Sequence, residues 1–448
     1  MKRAVAVLLL MFASTLVSAQ NQPAWQGRPK PVAQPPAQVL VIKAGTLIDP
    51  RTNEPLHNQL VIIRGNKIES VGPAGSAPMP TEAKVIDLSR ATVLPGMIEA
   101  HTHIFLQGED PAEGGWNGNL LYQPLAMRAA RAAVAVRLAL EKGFTSIRDM
   151  GTEGAGYGDV GIKQTINLGY IPGPRMWCST LAISTDGGYG IADFSPDVDD
   201  MLPKGVALFT GADAGRKIAR EQLAKGADFL KVYMTYRSRV GKNGELISDP
   251  TLTVDELKAI ADEAHSRGKK VACHAYGGIG LHRGLDGGCD SIEHGLDLDD
   301  AAIAQMKKQG TWLVPTLIAY YYWNSPPETP AGQRDLTRIK LHNASFQKAY
   351  KAGIKIAFGT DVGAFRWTEN IAAEFTKMVE LGMSPMDAIR TATTNAAELL
   401  DMQGELGVIA PGAYADIIAV SSDPTKDVSE LGRVKFVVKD GKVYKNEF

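Results

Sequence analysis

Five strand-like segments, spread along the chain, each end in a side chain that can bind a metal ion. Met97-Ile98-Glu99-Ala100-His101-Thr102-His103 ends in two histidines. Phe229-Leu230-Lys231-Val232-Tyr233 offers Lys231, Val271-Ala272-Cys273-His274 offers His274, Ser291-Ile292-Glu293-His294 offers His294, and Ile356-Ala357-Phe358-Gly359-Thr360-Asp361 offers Asp361. Side chains alternate across a strand, so His101 and His103 share a face and can reach one ion. Stretches with helical character separate the segments, such as Leu125–Lys142, Gly215–Lys225 and Leu257–Arg267. Alternation of strand and helix, with one polar group at each strand's C-terminal end, predicts a parallel β/α barrel with its active site at that end. A His-x-His pair on a surface strand is often metal-free, and a lone buried histidine is usually a satisfied core residue. Four histidines, a lysine and an aspartate, all at strand ends, are poorly explained that way.

The eight barrel strands are predicted at Met97–His103, Phe144–Met150, Arg175–Ser179, Phe229–Tyr233, Val271–Tyr276, Ser291–His294, Trp312–Thr316 and Lys355–Asp361, and Pro385 opens a late outer helix. Short strands with turns flank this region, including Leu60 to Ile68 with its Gly65-Asn66 hairpin turn. The expected organisation is an α/β fold: a (β/α)8 TIM-type barrel over 96–402, inserted into a small β-sandwich built from 39–95 and 403–448. With 448 residues, 44% of them hydrophobic, the chain has ample material for both.

The first 19 residues read as a signal peptide. Lys2 and Arg3 precede an apolar run from Ala4 to Val17, and Val17-Ser18-Ala19 is a small-residue cleavage site. The run is short for a membrane span, and an uncleaved anchor is the rival reading. Residues 20–38, rich in Pro, Gln and Ala, read as a flexible leader. The expectation is an exported protein, periplasmic or secreted, with no membrane contact after cleavage. A net charge of -1, without a basic stripe, argues against nucleic acid and anionic membranes as partners. Three cysteines, Cys178, Cys273 and Cys289, do not make a disulfide scaffold. Cys273 adjoins His274 but faces the other way, and is expected to be a small core residue.

The order His-x-His, Lys, His, His, Asp resembles the two-metal branch of the amidohydrolase superfamily. Thr253-Val254-Asp255-Glu256-Leu257 with the following Glu263-Ala264-His265-Ser266-Arg267-Gly268, and the tail Gly407 to Asp416, are also similar to that family. The resemblance runs from about Val39 to Val443 and is nearest to the imidazolonepropionase-like and prolidase-like group. That group includes exported dipeptidases and carboxypeptidases, and an amidohydrolase that cleaves ochratoxin A. The resemblance implies two divalent metal ions. His101, His103 and Asp361 would hold one and His274 and His294 the other, with Lys231 bridging both as a carbon dioxide-derived carbamate. Imidazole and carboxylate ligands favour zinc, with cobalt or manganese as alternatives. A hydroxide shared by the ions would attack the amide, with Asp361 as the general acid-base group. It also implies a homo-oligomer, and the apolar stretch Leu317 to Trp323 suits either such an interface or a substrate pocket.

Strand parity places Tyr233 beside Lys231 and Tyr276 beside His274, both near the mouth as candidate substrate contacts. Where many relatives carry Gly-Gly-His, this chain has Gly187-Gly188-Tyr189, so Tyr189 stands in place of a histidine contact. Arg237 and Arg239 are candidates for pairing with a substrate carboxylate; solvated loop charge is the plainer reading. The expected activity is hydrolysis of a peptide-like amide that releases a C-terminal amino acid, from a small-molecule or dipeptide-sized substrate with ochratoxin A as a fitting example. The alternatives are a cyclic-amide hydrolase of the imidazolonepropionase type and a non-catalytic scaffold. A deaminase is disfavoured because Ala275, Tyr276 and Gly277 follow His274 without an acid.

Overall fold

The computed structural model of the chain describes residues 39–76, 78–108, 115–191, 194–322 and 325–448. The signal-peptide and leader readings, and Trp323, lie outside the described residues.

Strands from both ends of the chain form one mixed sheet of seven, in which a single strand, Lys84–Pro95, joins the two sets. It runs parallel to Val39–Leu47 on one side and antiparallel to Ile417–Val420 on the other. The predicted sandwich is therefore corrected to one continuous sheet, because Lys84–Pro95 bonds to the N-terminal strand along one edge and to the C-terminal strand along the other. The Gly65-Asn66 turn links Leu56–Arg64 to Lys67–Pro73 as an antiparallel hairpin, with Gly65 at φ +62°. Leu40, Ile42, Val61 and Ile63 pack one face of this sheet, and Val39, Val41, Leu60 and Ile62 the other, as period-two alternation requires.

The central region is built from two parallel arcs. One contains Met97–Thr102, Phe144–Asp149 and Arg175–Cys178. The other runs in the order Trp312–Val314, Ser291–Asp297, Val271–Gly277, Leu230–Tyr233, Ile183–Thr185 and Ala207–Phe209. Hydrogen bonds do not form one closed eight-stranded ladder. The predicted strand at Lys355–Asp361 forms isolated bridges instead of a continuous strand. Its backbone still bonds to both neighbours: Leu313 N donates to Lys355 O at 2.8 Å, and Asp361 N donates to His101 O at 2.9 Å. Two glycines permit that approach. A Cβ on Gly359 would lie 2.8 Å from His101 Cβ, and one on Gly363, at φ +110°, would lie 2.2 Å from His103 O.

Helices alternate with these strands. Leu125–Glu141 buries Ala132, Ala135, Val136 and Ala139, a stripe at helical spacing in an alanine-rich segment with high helix propensity. Val254–His265 starts with a capping box, Thr253 Oγ1 accepting from Glu256 N and Glu256 Oε2 accepting from Thr253 N. Pro385–Thr391 opens after the N-cap Ser384, with proline in its first turn. Leu317, Ile318, Ala319 and Tyr320 are buried, so this part of the proposed interface stretch belongs to the core.

Cys273 does face away from His274, but it is bonded to Cys289. Cys289 lies in the turn between the helix Gly278–Gly287 and the strand Ser291–Asp297, and the pairing of that strand with Val271–Gly277 leaves the two Cα atoms 5.9 Å apart, within disulfide reach. The intervening helix hides this proximity from the sequence. Cys178 is free and buried. Denatured, unreduced protein should expose one thiol, and three after reduction; one thiol is also what Cys178 alone would give. Cys289→Ser should lower stability by roughly 3 kcal/mol, the usual scale for a loop of about 15 residues, read as a fall in Tm.

Candidate active site

The strand Met97–Thr102 carries Glu99 and His101 on one face, and His103 follows at its end. Glu99 is fully buried; Oε1 accepts from His101 N at 3.0 Å and from Thr360 N at 2.9 Å. One carboxylate thus ties the first strand to the segment that carries Asp361.

Glu293 sets the next layer. Its Oε2 lies 2.8 Å from His101 Nδ1, and its Oε1 accepts from Arg148 Nη2 at 2.8 Å and from Ser291 Oγ at 2.5 Å. Burial alone would raise its pKa, but the Arg148 charge and the bond to His101 outweigh this and hold it at about 2. Adjacent Glu293 and His294 should point to opposite faces of a strand, yet both serve this site. His294 achieves this with a left-handed backbone, φ +73°, midway along the strand Ser291–Asp297.

Two more imidazoles are oriented in the same manner. His103 Nδ1 lies 2.9 Å from Gly151 O, and His294 Nδ1 lies 2.8 Å from Thr316 Oγ1. Asp361 Oδ1 lies 3.4 Å from His101 Nε2 and 3.3 Å from His103 Nε2. Burial would raise the Asp361 pKa, but the bonds and charges of these two histidines hold it well below the carboxylate range. His274 and His294 are driven far below the usual imidazole value, first by burial and then by neighbouring Lys231 and His274 respectively. Neutral imidazoles are the form that binds metal. Burial also brings Lys231 down to about 8, against the opposing pull of Glu293 and Asp361. An amine with that pKa is neutral in an appreciable fraction near pH 7, as carbamate formation requires.

All six expected ligand residues, His101, His103, Lys231, His274, His294 and Asp361, line one cavity of about 530 Å³. His101, His294 and Asp361 offer ligand atoms within 4.8 Å of one another. The Nε2 atoms of His101 and His274 are buried; that of His274 lacks a hydrogen-bond partner among the described residues, and that of His101 has the long 3.4 Å approach to Asp361 in place of a well-formed bond. Buried polar atoms are rarely left so, and orphaned imidazole nitrogens beside a carboxylate fit a divalent cation.

The predicted substrate contacts divide. Tyr189, Tyr233, Tyr276 and Arg237 line the cavity, whereas Arg239 is exposed and pairs with Asp249 at 2.9 Å. The Tyr189 and Tyr233 phenols donate to Glu153, at 2.6 and 3.2 Å. Burial drives both phenol pKa values well above 10. Sequence reading missed Glu153, Glu293 and Arg338. Glu153 sits in a loop after a strand and carried no pattern; Arg338 comes from the helix Pro330–Ala352 and lines the cavity 5.9 Å from the Tyr276 ring. Glu293 had a signal, its i−2 spacing from Ser291 on a strand face.

Arg148→Met should destabilise the fold by about 3–5 kcal/mol, because it leaves the Glu293 carboxylate buried without its cation. Urea denaturation checks this; an unchanged midpoint would remove Glu293 from its place as the charged hub.

A model of the amidohydrolase family matches residues 92–444. An ochratoxinase from Aspergillus niger is 30% identical over 432 residues, covering 91% of this chain and 87% of its own. The structure of an Xaa-Pro dipeptidase with methionine bound in its active site matches with a TM-score of 0.79 and 31% identity, over 91% of this chain and 100% of that one. A prolidase complexed with N-methylphosphonate-L-proline matches with a TM-score of 0.79 and 29% identity, over 92% and 100% of the two chains. The family match begins just before the His-x-His strand and runs past Asp361 into the closing strands, so it takes in every residue around the cavity: the chain is a hydrolase of the amidohydrolase family.

Proposed function

We propose that the chain hydrolyses a peptide-like amide whose leaving group is an amino acid with a free carboxylate, using two divalent ions in the cavity. The observation that carries this reading is the convergence of four histidines, Lys231 and Asp361 on one cavity. We assign His101, His103 and Asp361 to one ion and His274 and His294 to the other, with Lys231 as a carbamate bridge. Met97–Thr102, Phe144–Asp149, Arg175–Cys178, Leu230–Tyr233, Val271–Gly277, Ser291–Asp297, Trp312–Val314 and the 355–361 segment are then the eight staves of a (β/α)8 barrel. Zinc suits the donor set best. When bound, the ions would supply an activated water and polarise the scissile carbonyl.

The chain's own groups do the rest. Glu293 and Gly151 O fix the Nδ1 sides of His101 and His103, so their Nε2 atoms face the cavity. Asp361, ionised beside both histidines, accepts a proton at its carboxylate and returns it to the departing amine. Arg237 and Arg338 place positive charge at the cavity wall, suited to a substrate carboxylate. The bound methionine of the dipeptidase and the proline phosphonate of the prolidase support an amino-acid leaving group. The ochratoxinase likeness supports the same amide chemistry.

Export is part of the same proposal, resting on Lys2, Arg3 and the apolar run after them. The Cys273–Cys289 disulfide suits an oxidising compartment. Among the described residues no helix is long and apolar enough to cross a membrane. Exposed Tyr122, Leu125 and Met127 give self-association an apolar surface.

Metal analysis of purified protein should find about two ions per chain, the count of a two-metal site. Lys231→Ala should lose most of one ion and nearly all activity, with partial rescue by short carboxylic acids; full activity would remove the bridge. Asp361→Asn should lower kcat by roughly 10² or more. A near-normal rate with both ions retained would exclude Asp361 as the proton carrier.

A further inference from the structure

We propose that Glu153 and the aromatic side chains around it receive a substrate's ammonium group, so that the enzyme favours dipeptides with a free N-terminus over N-acyl amino acids. The proposal deepens the amide-hydrolase reading above and rests on it.

Glu153 is 2% exposed and lines the cavity. Its backbone is left-handed, φ +47°, an uncommon conformation for a residue with a side chain. Arg128 holds the loop there, its Nη2 donating to Thr152 O at 3.0 Å and Glu153 O at 2.7 Å. A guanidinium from a neighbouring helix is thus spent on backbone carbonyls, and the carboxylate is left to face the cavity. Tyr189 and Tyr233 each donate one hydrogen bond to it. A carboxylate offers about four acceptor positions, so two remain. Among the described residues no cation forms an ion pair with Glu153. Arg128, His103 and Lys231 act on it from a distance, and a cation paired with it directly would stabilise so buried a carboxylate further.

The surroundings suit one. Trp116, Tyr189, Tyr233 and Tyr236 line the same cavity. The Tyr189 ring lies 4.7 Å from Tyr233, 4.7 Å from Tyr236 and 5.5 Å from Trp116, centre to centre. A carboxylate among closely packed rings is an arrangement that recognises organic ammonium ions, by ion pairing and by the negative faces of the rings. An apolar acyl group would satisfy the rings and leave Glu153 unpaired. A free dipeptide satisfies both. The rival role for Glu153 is charge balance for the nearby metal cluster, which predicts a loss of bound metal on its neutralisation and no substrate preference.

Alanyl-phenylalanine and propionyl-phenylalanine differ only in the ammonium group, and their comparison tests the proposal. Metal-loaded wild-type enzyme should show a kcat/KM at least about 10-fold higher for the dipeptide, the scale of a hydrogen bond to a charged group. Glu153→Gln keeps an acceptor for the phenols and removes the charge. It should bring the kcat/KM ratio towards unity, mainly through the KM of the dipeptide, without loss of metal. Calorimetric binding of the uncleavable ketomethylene isostere of alanyl-phenylalanine, with and without its amine, should give the same preference without turnover. Equal binding of the two isosteres by wild-type enzyme overturns the proposal, as does an unchanged ratio in Glu153→Gln. If neither amide is cleaved but the amino isostere still binds preferentially, the hydrolase reading fails and the ammonium site stands.

Discussion

The buried carboxylate of Glu293 is the interaction around which this site is organised. It is fully enclosed, yet it stays ionised because Arg148 and His101 are built against it. The same charge reaches Lys231 and opposes the burial that would neutralise that amine completely. Removing a charge from water is unfavourable, and only a well-formed set of partners offsets it. The strand that supplies Arg148, the strand that supplies His101 and the strand that supplies Glu293 are therefore constrained to one relative placement. Glu99 extends the constraint to the segment carrying Asp361 through two backbone N–H groups.

Backbone conformation then decides what points into the cavity. Glu153, His294, Thr316 and Asp361 all have positive φ, at +47°, +73°, +53° and +63°. Non-glycine residues adopt such angles at a cost of order 1–3 kcal/mol, and they gather where function demands them. Here they lie within or just beyond the strands and go with polar side chains gathered around the cavity. Regular alternation would have sent His294 into the apolar layer between strands and helices. Asp361 gains its position the same way, with Gly359 and Gly363 clearing space beside His101 and His103.

The cavity that results carries charge of both signs. Histidines, Lys231 and Asp361 occupy the strand ends, arginines come from the loop and helix around the mouth, and Glu153 sits among the aromatic rings. Such a wall discriminates by desolvation as much as by attraction, since each buried charge left without a partner penalises the wrong ligand. An amide with charged ends meets this wall better than an apolar one.

Much of this could be read from the chain alone. The six candidate ligands were visible because each ends a strand-like segment; parity put Tyr233 beside Lys231 and Tyr276 beside His274, and all four line one cavity. The capping box at Thr253 and the hairpin turn at Gly65 were legible because local hydrogen bonding dictates them. Contacts between distant residues were not. The sequence could not show that Cys273 meets Cys289, that Tyr189 and Tyr233 both donate to Glu153, or that Arg338 reaches the mouth while Arg239 turns to Asp249. Nor could it show that strands from both chain ends merge into one sheet. Periodicity and local propensity determine which residues share a face. Which faces meet, and which buried charges find partners, is decided only when the strands pack, because those energies belong to pairs of residues far apart in sequence.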